Sequence, residues 1–137
     1  MLIYLEGCSS YYKKIDKWHL ATDWRGKATN CLSDSGHKTF DPTIDWDRNL
    51  EFDGDLMVEQ NEYYLKAADI ILVNLNDLAK SYGSIFELVT AHVLGKPIIA
   101  FGNNKALNHP HIRHIVKHTF STLDEALNFI LLAYCQN

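Results

Sequence analysis

The clearest candidate for chemistry in this 137-residue sequence is Glu87. It lies in the run YGSIFEL, residues 82–88, which follows a strongly apolar segment and opens a helix predicted over 84–94. Glu87 would sit in the first turn, where a helix N-terminus favours an ionised carboxylate. Such a carboxylate can attack the anomeric carbon of a sugar and form a covalent glycosyl intermediate. The spacing Ser84-x-x-Glu87 is also that of a capping box, which needs no function.

Other candidate groups give weaker signals. The dense histidines lack the H-E-x-x-H spacing, and no cysteine or acidic side chain accompanies them at ligand spacing, so we predict neither a metal site nor a cofactor. Gly83 and Ser84 form only a weak phosphate-loop signal, because no lysine stands in the P-loop position. Trp46, in a long loop after Pro42, is a candidate surface for stacking a base, although it would equally serve to anchor that loop.

Composition excludes several classes of partner. The net charge is -4 and no basic block occurs, which argues against polymeric DNA or RNA but leaves a single nucleotide possible. The three cysteines are widely spaced and odd in number, so a disulfide framework is not expected and a reducing compartment fits. The sequence shows neither a signal peptide nor an apolar run long enough for a membrane span. We therefore expect a cytoplasmic protein with no membrane partner.

The elements that must position Glu87 alternate along the chain. Strands are predicted at 3–5, 38–40, 70–75, 97–101 and 118–120, and helices at 12–32, 56–68, 84–94 and, after a Ser121-x-x-Asp124 cap, through Ala133. This order predicts an α/β fold: a single-domain, Rossmann-like, open parallel five-stranded sheet over 1–137, with helices on both faces. Such sheets bind ligands beyond the carboxyl ends of their strands. The loops after Leu5, Phe40, Leu75 and Phe101 are therefore the ones that should form the site.

Five separated runs together form a wider pattern. They are IYLxG from Ile3, GHxxFxP from Gly36, LxxADIILVNL from Leu65, GSxFEL from Gly83 and AxxLGKPII from Ala91. The set resembles the nucleoside 2-deoxyribosyltransferase family and its relatives, the nucleoside 5′-monophosphate N-glycosidases. The resemblance covers residues 3–101, and its most specific part is GSxFEL followed by LGKP.

The resemblance implies catalytic roles for three residues. Glu87 falls on the family nucleophile, and Tyr4 falls on a tyrosine whose hydroxyl contacts that nucleophile; without the resemblance, Tyr4 would be an ordinary half-buried strand residue. Asn61 stands where the family usually carries an aspartate that contacts base or sugar and can act as a general acid. An amide cannot donate a titrating proton. Either Asn61 binds without acid catalysis, or another residue supplies the proton, or the chain is catalytically weak.

The resemblance also bears on the substrate. Transferases that act on free nucleosides usually carry an aspartate at the position of Ser81, whereas a serine there resembles the relatives whose hydroxyl contacts a 5′-phosphate. An aspartate would repel a phosphate, whereas a hydroxyl can donate a hydrogen bond to one. Asp77, earlier in the same loop, could partly restore a carboxylate. A polar side chain such as Asn108 would reach the site of a neighbouring subunit. The further candidate binding residues are Gly7, Ser9, Gly83, Ser84 and Trp46.

These observations lead to one prediction and its rivals. We predict cleavage or exchange of the N-glycosidic bond of a (deoxy)nucleoside 5′-monophosphate through a covalent glycosyl-Glu87 intermediate, in a homodimer or higher homo-oligomer. The alternatives are a catalytically weak nucleotide-binding module of the same fold, or a transferase on free deoxynucleosides. A dinucleotide-binding protein is disfavoured, because no G-x-G-x-x-G follows the first strand.

Overall fold

The computed structural model describes residues 1–44 and 54–135. Within these ranges, five strands form one sheet: β1 Leu2–Glu6, β2 Lys38–Phe40, β3 Ile70–Asn74, β4 Ile98–Phe101 and β5 His118–Phe120. Each strand pairs in parallel with its neighbours in the order β2-β1-β3-β4-β5. The predicted open, parallel five-stranded sheet is confirmed.

Helices connect the strands and cover the sheet. They are α1 Ser10–Lys14, α2 His19–Asp34, α3 Gly54–Ala67, α4 Tyr82–Val93, α5 Pro110–Ile115 and α6 Leu123–Tyr134, with short 3-10 turns at Leu78–Lys80 and Asn104–Asn108. None of the helices in the described ranges is long and apolar enough to cross a bilayer.

The sheet separates two apolar cores. On one side, Ile3 and Leu5 of β1 pack with residues of α2 and α6, among them Leu32 and Ile130. On the other side, Tyr4 packs with residues of α3, α4 and α5: Leu65, Leu88 and Ile112. Successive side chains of a strand point to opposite faces. Tyr4 and the next residue but one, Glu6, therefore both face the layer that contains α4.

The helix predicted over 12–32 and the cap predicted for the last helix both differ from the structure. The helix predicted over 12–32 is interrupted after α1, because Asp16 adopts the left-handed conformation with φ 56° and a helix cannot continue through it. The last helix is capped by Thr122 rather than Ser121: the Thr122 Oγ1 accepts from the Glu125 N–H at 3.3 Å and donates to the Glu125 carboxylate at 2.9 Å. The capping box is real but lies one residue further along.

Candidate active site

The start of α4 decides how Glu87 is presented. Ser81 is the N-cap, with its Oγ accepting from the Ser84 N–H at 3.3 Å and donating to the Ser84 hydroxyl at 2.8 Å. The helix therefore begins at Tyr82 and Glu87 lies in its second turn. The predicted capping box between Ser84 and Glu87 is wrong, because the competing Ser81 cap starts the helix earlier. As a result, the Glu87 carboxylate is not used to cap its own helix.

Two donors from other elements hold this carboxylate. The Tyr4 hydroxyl donates to Glu87 Oε2 at 2.9 Å, and the Asn61 Nδ2 donates to Glu87 Oε1 at 3.3 Å. Tyr4 comes from β1, Asn61 from α3 and Glu87 from α4, so three elements meet where β1 ends. Each carboxylate oxygen has its own donor, and this fixes the orientation of the group. The structure thus brings together the three residues predicted to be catalytic.

The Tyr4 phenol is a fixed donor. Its ring is fully buried and lies 5.1 Å from the ring of Phe40, which in turn stacks on Tyr64 at 4.1 Å. Burial raises the pKa of Tyr4 far above its ordinary value, and the neighbouring Glu6 and Glu87 carboxyls and the hydrogen bond to Glu87 raise it further. The phenol therefore keeps its proton, and with it the hydrogen bond to Glu87, throughout the ordinary pH range.

A second carboxyl lies beside this pair and was missed from the sequence. Glu6 is the last residue of β1, is only 3% exposed, and accepts a hydrogen bond from the Gly7 N–H at 3.1 Å. Burial raises the pKa of Glu6 well above its ordinary value, as do the charge of Glu87 and a hydrogen bond with it. The sequence did hold a signal, because strand alternation places Glu6 on the same face as Tyr4.

Arg25 organises the loops around these residues. Its side chain is fully buried and donates to the carbonyls of Leu5, Ala21 and Gly7 at 3.3, 2.6 and 3.0 Å. Its Nε also lies 3.7 Å from Asp41, which follows β2. From the sequence, Arg25 is a candidate charge toward phosphate or part of a solvated helix face, and the structure supports neither. It instead joins the segments that follow β1 and β2.

Gly7, Ser9 and Gly83, three of the residues predicted to bind substrate, lie after β1 and at the start of α4. Gly7 follows β1, and a Cβ there would come within 3.3 Å of both Asn74 and Trp24. Ser9 is half-buried before α1, and its side chain does not cap that helix. Gly83 is exposed, and a side chain there would meet open space.

Asp77 is engaged by a tyrosine. It adopts a left-handed conformation with φ 53°, and its carboxylate accepts a hydrogen bond from the Tyr12 hydroxyl at 2.6 Å. Burial and Asp77 together raise the pKa of Tyr12, so this donor also keeps its proton. Asp77 borders a cleft of about 250 Å³ that Lys80 and Lys105 also line. Glu87 is not among the residues that line this cleft.

Two residues that were also predicted to bind substrate are Trp46 and Asn108. Trp46 lies outside the described residues. Asn108 is exposed at the end of the 3-10 turn Asn104–Asn108. In the part of the chain that the structure describes, no three His, Cys, Asp or Glu side chains are grouped so as to hold a metal ion.

Solved structures of known proteins share this fold. No protein-family model and no curated protein matches the chain. A solved 2-deoxyribosyltransferase from Leishmania mexicana superposes with a TM-score of 0.71 at 15% identity, covering 97% of this chain and 98% of its own. The chain has the fold of the 2-deoxyribosyltransferases.

Two further structures share this deoxyribosyltransferase fold. A 2-deoxyribosyltransferase from Bacillus psychrosaccharolyticus has a TM-score of 0.66 and 21% identity, over 93% of this chain and 91% of its own. A CMP N-glycosidase from Clostridium botulinum has a TM-score of 0.67 and 16% identity, over 96% and 98%. The resemblance inferred from the sequence motifs is confirmed at the level of the fold.

Proposed function

We propose that this chain breaks or exchanges the N-glycosidic bond of a (deoxy)nucleoside 5′-monophosphate, with Glu87 as the nucleophile. The observation that carries this proposal is the Glu87 carboxylate, which is held by Tyr4 and Asn61 where the first strand ends. Open parallel sheets bind their ligands at this edge. The structures that share the fold are named as two 2-deoxyribosyltransferases and one CMP N-glycosidase, which supports the proposal.

The reaction would proceed in two displacements. A Glu87 oxygen attacks C1′ of the sugar, the C1′–N bond breaks, and the base leaves with the bonding electrons and takes up a proton. Water or a second base then attacks C1′ of the glycosyl ester, gives up a proton to solvent, and releases Glu87 as a carboxylate. Water gives hydrolysis and a base gives transfer, and the exclusion of water from the closed site decides between them.

Asn61 forms a hydrogen bond with Glu87 but cannot titrate. Its amide N–H donates to Glu87, so in this chain it orients the nucleophile. Since an amide cannot release a proton to the leaving base, that proton must come from another group or from water. The place of an acid next to the nucleophile is thus taken by a neutral donor.

Selectivity for a 5′-phosphate is supported by the start of α4. The first N–H groups of a helix have no intrahelical partner and attract anions. Here they are flanked by the Ser81 hydroxyl, and Gly83 adds no side chain that would block access. Asp77, the nearby carboxylate that would oppose a phosphate, is held by Tyr12.

The protein is further proposed to be a cytoplasmic homo-oligomer. Tyr82, Phe86, Val89 and Val93 recur at helical spacing on α4 and are exposed, Phe86 by 73% and Val93 by 77%. A continuous apolar stripe on the helix that carries Glu87 would be covered by a second copy of the chain. The three cysteines are unpaired, which fits a reducing compartment.

A second candidate function is a nucleotide-binding module without turnover. The observation that favours it is Asn61, which removes the titrating acid from beside Glu87. Such a module would bind a monophosphate at the same edge of the sheet and release nothing.

One assay separates the two functions. Common nucleoside and deoxynucleoside monophosphates, with the free nucleosides for comparison, are incubated with the native chain and with Glu87→Ala, and released base is measured by chromatography. We expect base release from at least one monophosphate and a loss of roughly 10³-fold or more in Glu87→Ala. The exposed Glu62, changed to Gln, is the matched control and should retain full activity. Calorimetric binding without base release would instead support the module.

A further inference from the structure

Glu6 is a buried carboxyl that the reaction described above does not use. It ends β1 beside Val73 of β3, and its side chain is 3% exposed. Its Oε1 accepts the Gly7 N–H, whereas its Oε2 is buried and has no hydrogen-bond donor among the residues that the structure describes. Ionised carboxylates can only accept, and leaving a buried oxygen unpaired is costly.

The group that Glu6 faces is another carboxyl. Glu6 lies on the same face of β1 as Tyr4, whose hydroxyl reaches Glu87 on α4, and the charge of Glu87 raises the pKa of Glu6. Two adjacent carboxylates cannot both be ionised at low cost in a buried place. One proton between them resolves the conflict, because it turns one acceptor into an O–H donor. The orphaned oxygen of Glu6 is therefore explained by a proton that Glu6 carries toward Glu87.

The surroundings place this proton on Glu6. Glu87 is partly exposed and already accepts from Tyr4 and Asn61, which suits the anion. Glu6 is the more buried of the two, and burial disfavours its charged form.

The remaining charged neighbour of Glu6 opposes this placement only weakly. Arg25 approaches from α2, but its guanidinium is directed to three backbone carbonyls and to Asp41. Arg25 and the Ser84 hydrogen bond act to lower the pKa of Glu6, and burial together with Glu87 outweighs them.

We propose that Glu6 is a positioning residue that stays protonated and donates its O–H to the Glu87 carboxylate, as the third donor beside Tyr4 and Asn61. The inference rests on the proposed role of Glu87 as the nucleophile. No proton is transferred: Glu6 keeps its proton while Glu87 attacks C1′. When the glycosyl ester is resolved, Glu87 is released as a carboxylate that accepts the same O–H again.

The kinetic test compares pH profiles of base release. In the native chain, kcat should fall at alkaline pH as Glu6 ionises and its O–H is lost. Glu6→Gln supplies an amide donor that does not titrate, so it should retain activity near neutral pH and lose the alkaline fall or shift it upward by at least about one pH unit. Glu6→Val supplies no donor and should be slower by about 10- to 100-fold at every pH. Glu62→Gln, an exposed matched control, should follow the native profile. An unchanged alkaline limb in Glu6→Gln would overturn the proposal.

A spectroscopic test does not depend on turnover. Carboxyl ¹³C shifts of the glutamates are followed with pH in the native chain and in Glu87→Gln, with Glu6→Gln used to assign the Glu6 signal. We expect Glu6 to be protonated at neutral pH and to titrate at lower pH once the Glu87 charge is removed. Titration of Glu6 in the ordinary carboxyl range would overturn the proposal that Glu6 stays protonated and donates to Glu87. If the native chain releases no base from any monophosphate, the proposed function fails, and the carboxyl shifts still decide where the proton lies.

Discussion

The hydroxyl of Tyr4 and the carboxylate of Glu87 lie 2.9 Å apart although 83 positions separate them in the sequence. Tyr4 is fixed in the central part of the sheet, where β1 pairs with both β2 and β3. Glu87 lies one and a half turns into α4, beyond a cap that does not require its side chain. A residue of a central strand therefore holds the Glu87 carboxylate on the helix, and this relationship makes the proposed site testable by single substitutions.

Removing the Tyr4 hydroxyl should slow the reaction with a small effect on stability. Tyr4→Phe keeps the buried ring and deletes one of the donors to Glu87, and a hydrogen bond to a charged group contributes about 1.5–3 kcal/mol. We expect base release to fall by about 10- to 100-fold, measured as kcat on the best monophosphate. Tyr63→Phe, on an exposed ring of α3, is the matched control. Equal rates in Tyr4→Phe and the native chain would show that the phenol does not position the nucleophile.

Placing an acid at position 61 should change the pH dependence of the reaction. Asn61→Asp adds a titrating carboxyl within reach of Glu87, which can donate a proton only while it is protonated. We expect base release to increase relative to the native chain at acidic pH. At alkaline pH it should decrease, because two adjacent carboxylates repel each other. The profile is compared with that of Asn30→Asp on the exposed part of α2. If the pH profile of base release had the same shape in Asn61→Asp and Asn30→Asp, the expectation would be contradicted.

The burial of Glu6 predicts a pH-dependent stability. Its pKa is raised above the ordinary value near 4.5, so the folded protein holds the proton more tightly than the unfolded chain. Its favourable contribution is complete below the ordinary carboxyl range and is lost as the pH rises toward the folded pKa. Glu6→Gln does not titrate, so its free energy of unfolding relative to the native chain should rise with pH by on the order of 1 kcal/mol per unit at most. Urea denaturation at acidic, neutral and alkaline pH measures this difference, and a constant offset would refute the assignment.

Loss of the Arg25 guanidinium should destabilise the fold. Arg25→Met removes the donors to the carbonyls of Leu5, Ala21 and Gly7 and leaves Asp41 without its buried partner. We expect the free energy of unfolding to fall by about 2–5 kcal/mol. Arg25→Lys should restore only part of it, since an ammonium cannot reproduce the planar fork. Arg113→Met, at an exposed position of α5, should leave the unfolding midpoint within error of the native value.

A charge in the apolar stripe of α4 should dissociate the proposed oligomer. Phe86 is 73% exposed, so Phe86→Glu costs the single chain little but would bury an unpaired charge in an interface. Sedimentation velocity should show a smaller species for Phe86→Glu than for the native chain and for Leu20→Glu, a control on the exposed side of α2. A native chain that sediments as a monomer would rule out the oligomer.

The sequence by itself determined the architecture and predicted which residues meet around Glu87. The apolar runs 70–75 and 97–101 have the length and β-branched content of buried strands, and the amphipathic segments between them are helices. These signals are local, because the hydrophobic periodicity of each segment depends only on the residues within it. Local alternation also assigns Tyr4 to one face of β1. The motif around Glu87 then indicated which residues should meet Tyr4.

Only the tertiary structure decided the start of α4 and the state of Glu6 and Arg25. The sequence predicted a cap at Ser84, whereas the structure has Ser81 both ending the 3-10 turn Leu78–Lys80 and capping α4. The side chains of Glu6 and Arg25 are typical of exposed positions. Arg25 is buried because carbonyls of three residues and Asp41 surround its guanidinium, and Glu6 is buried at the end of a strand that pairs on both sides. Those partners come from distant parts of the chain, so no local pattern in the sequence could have identified them.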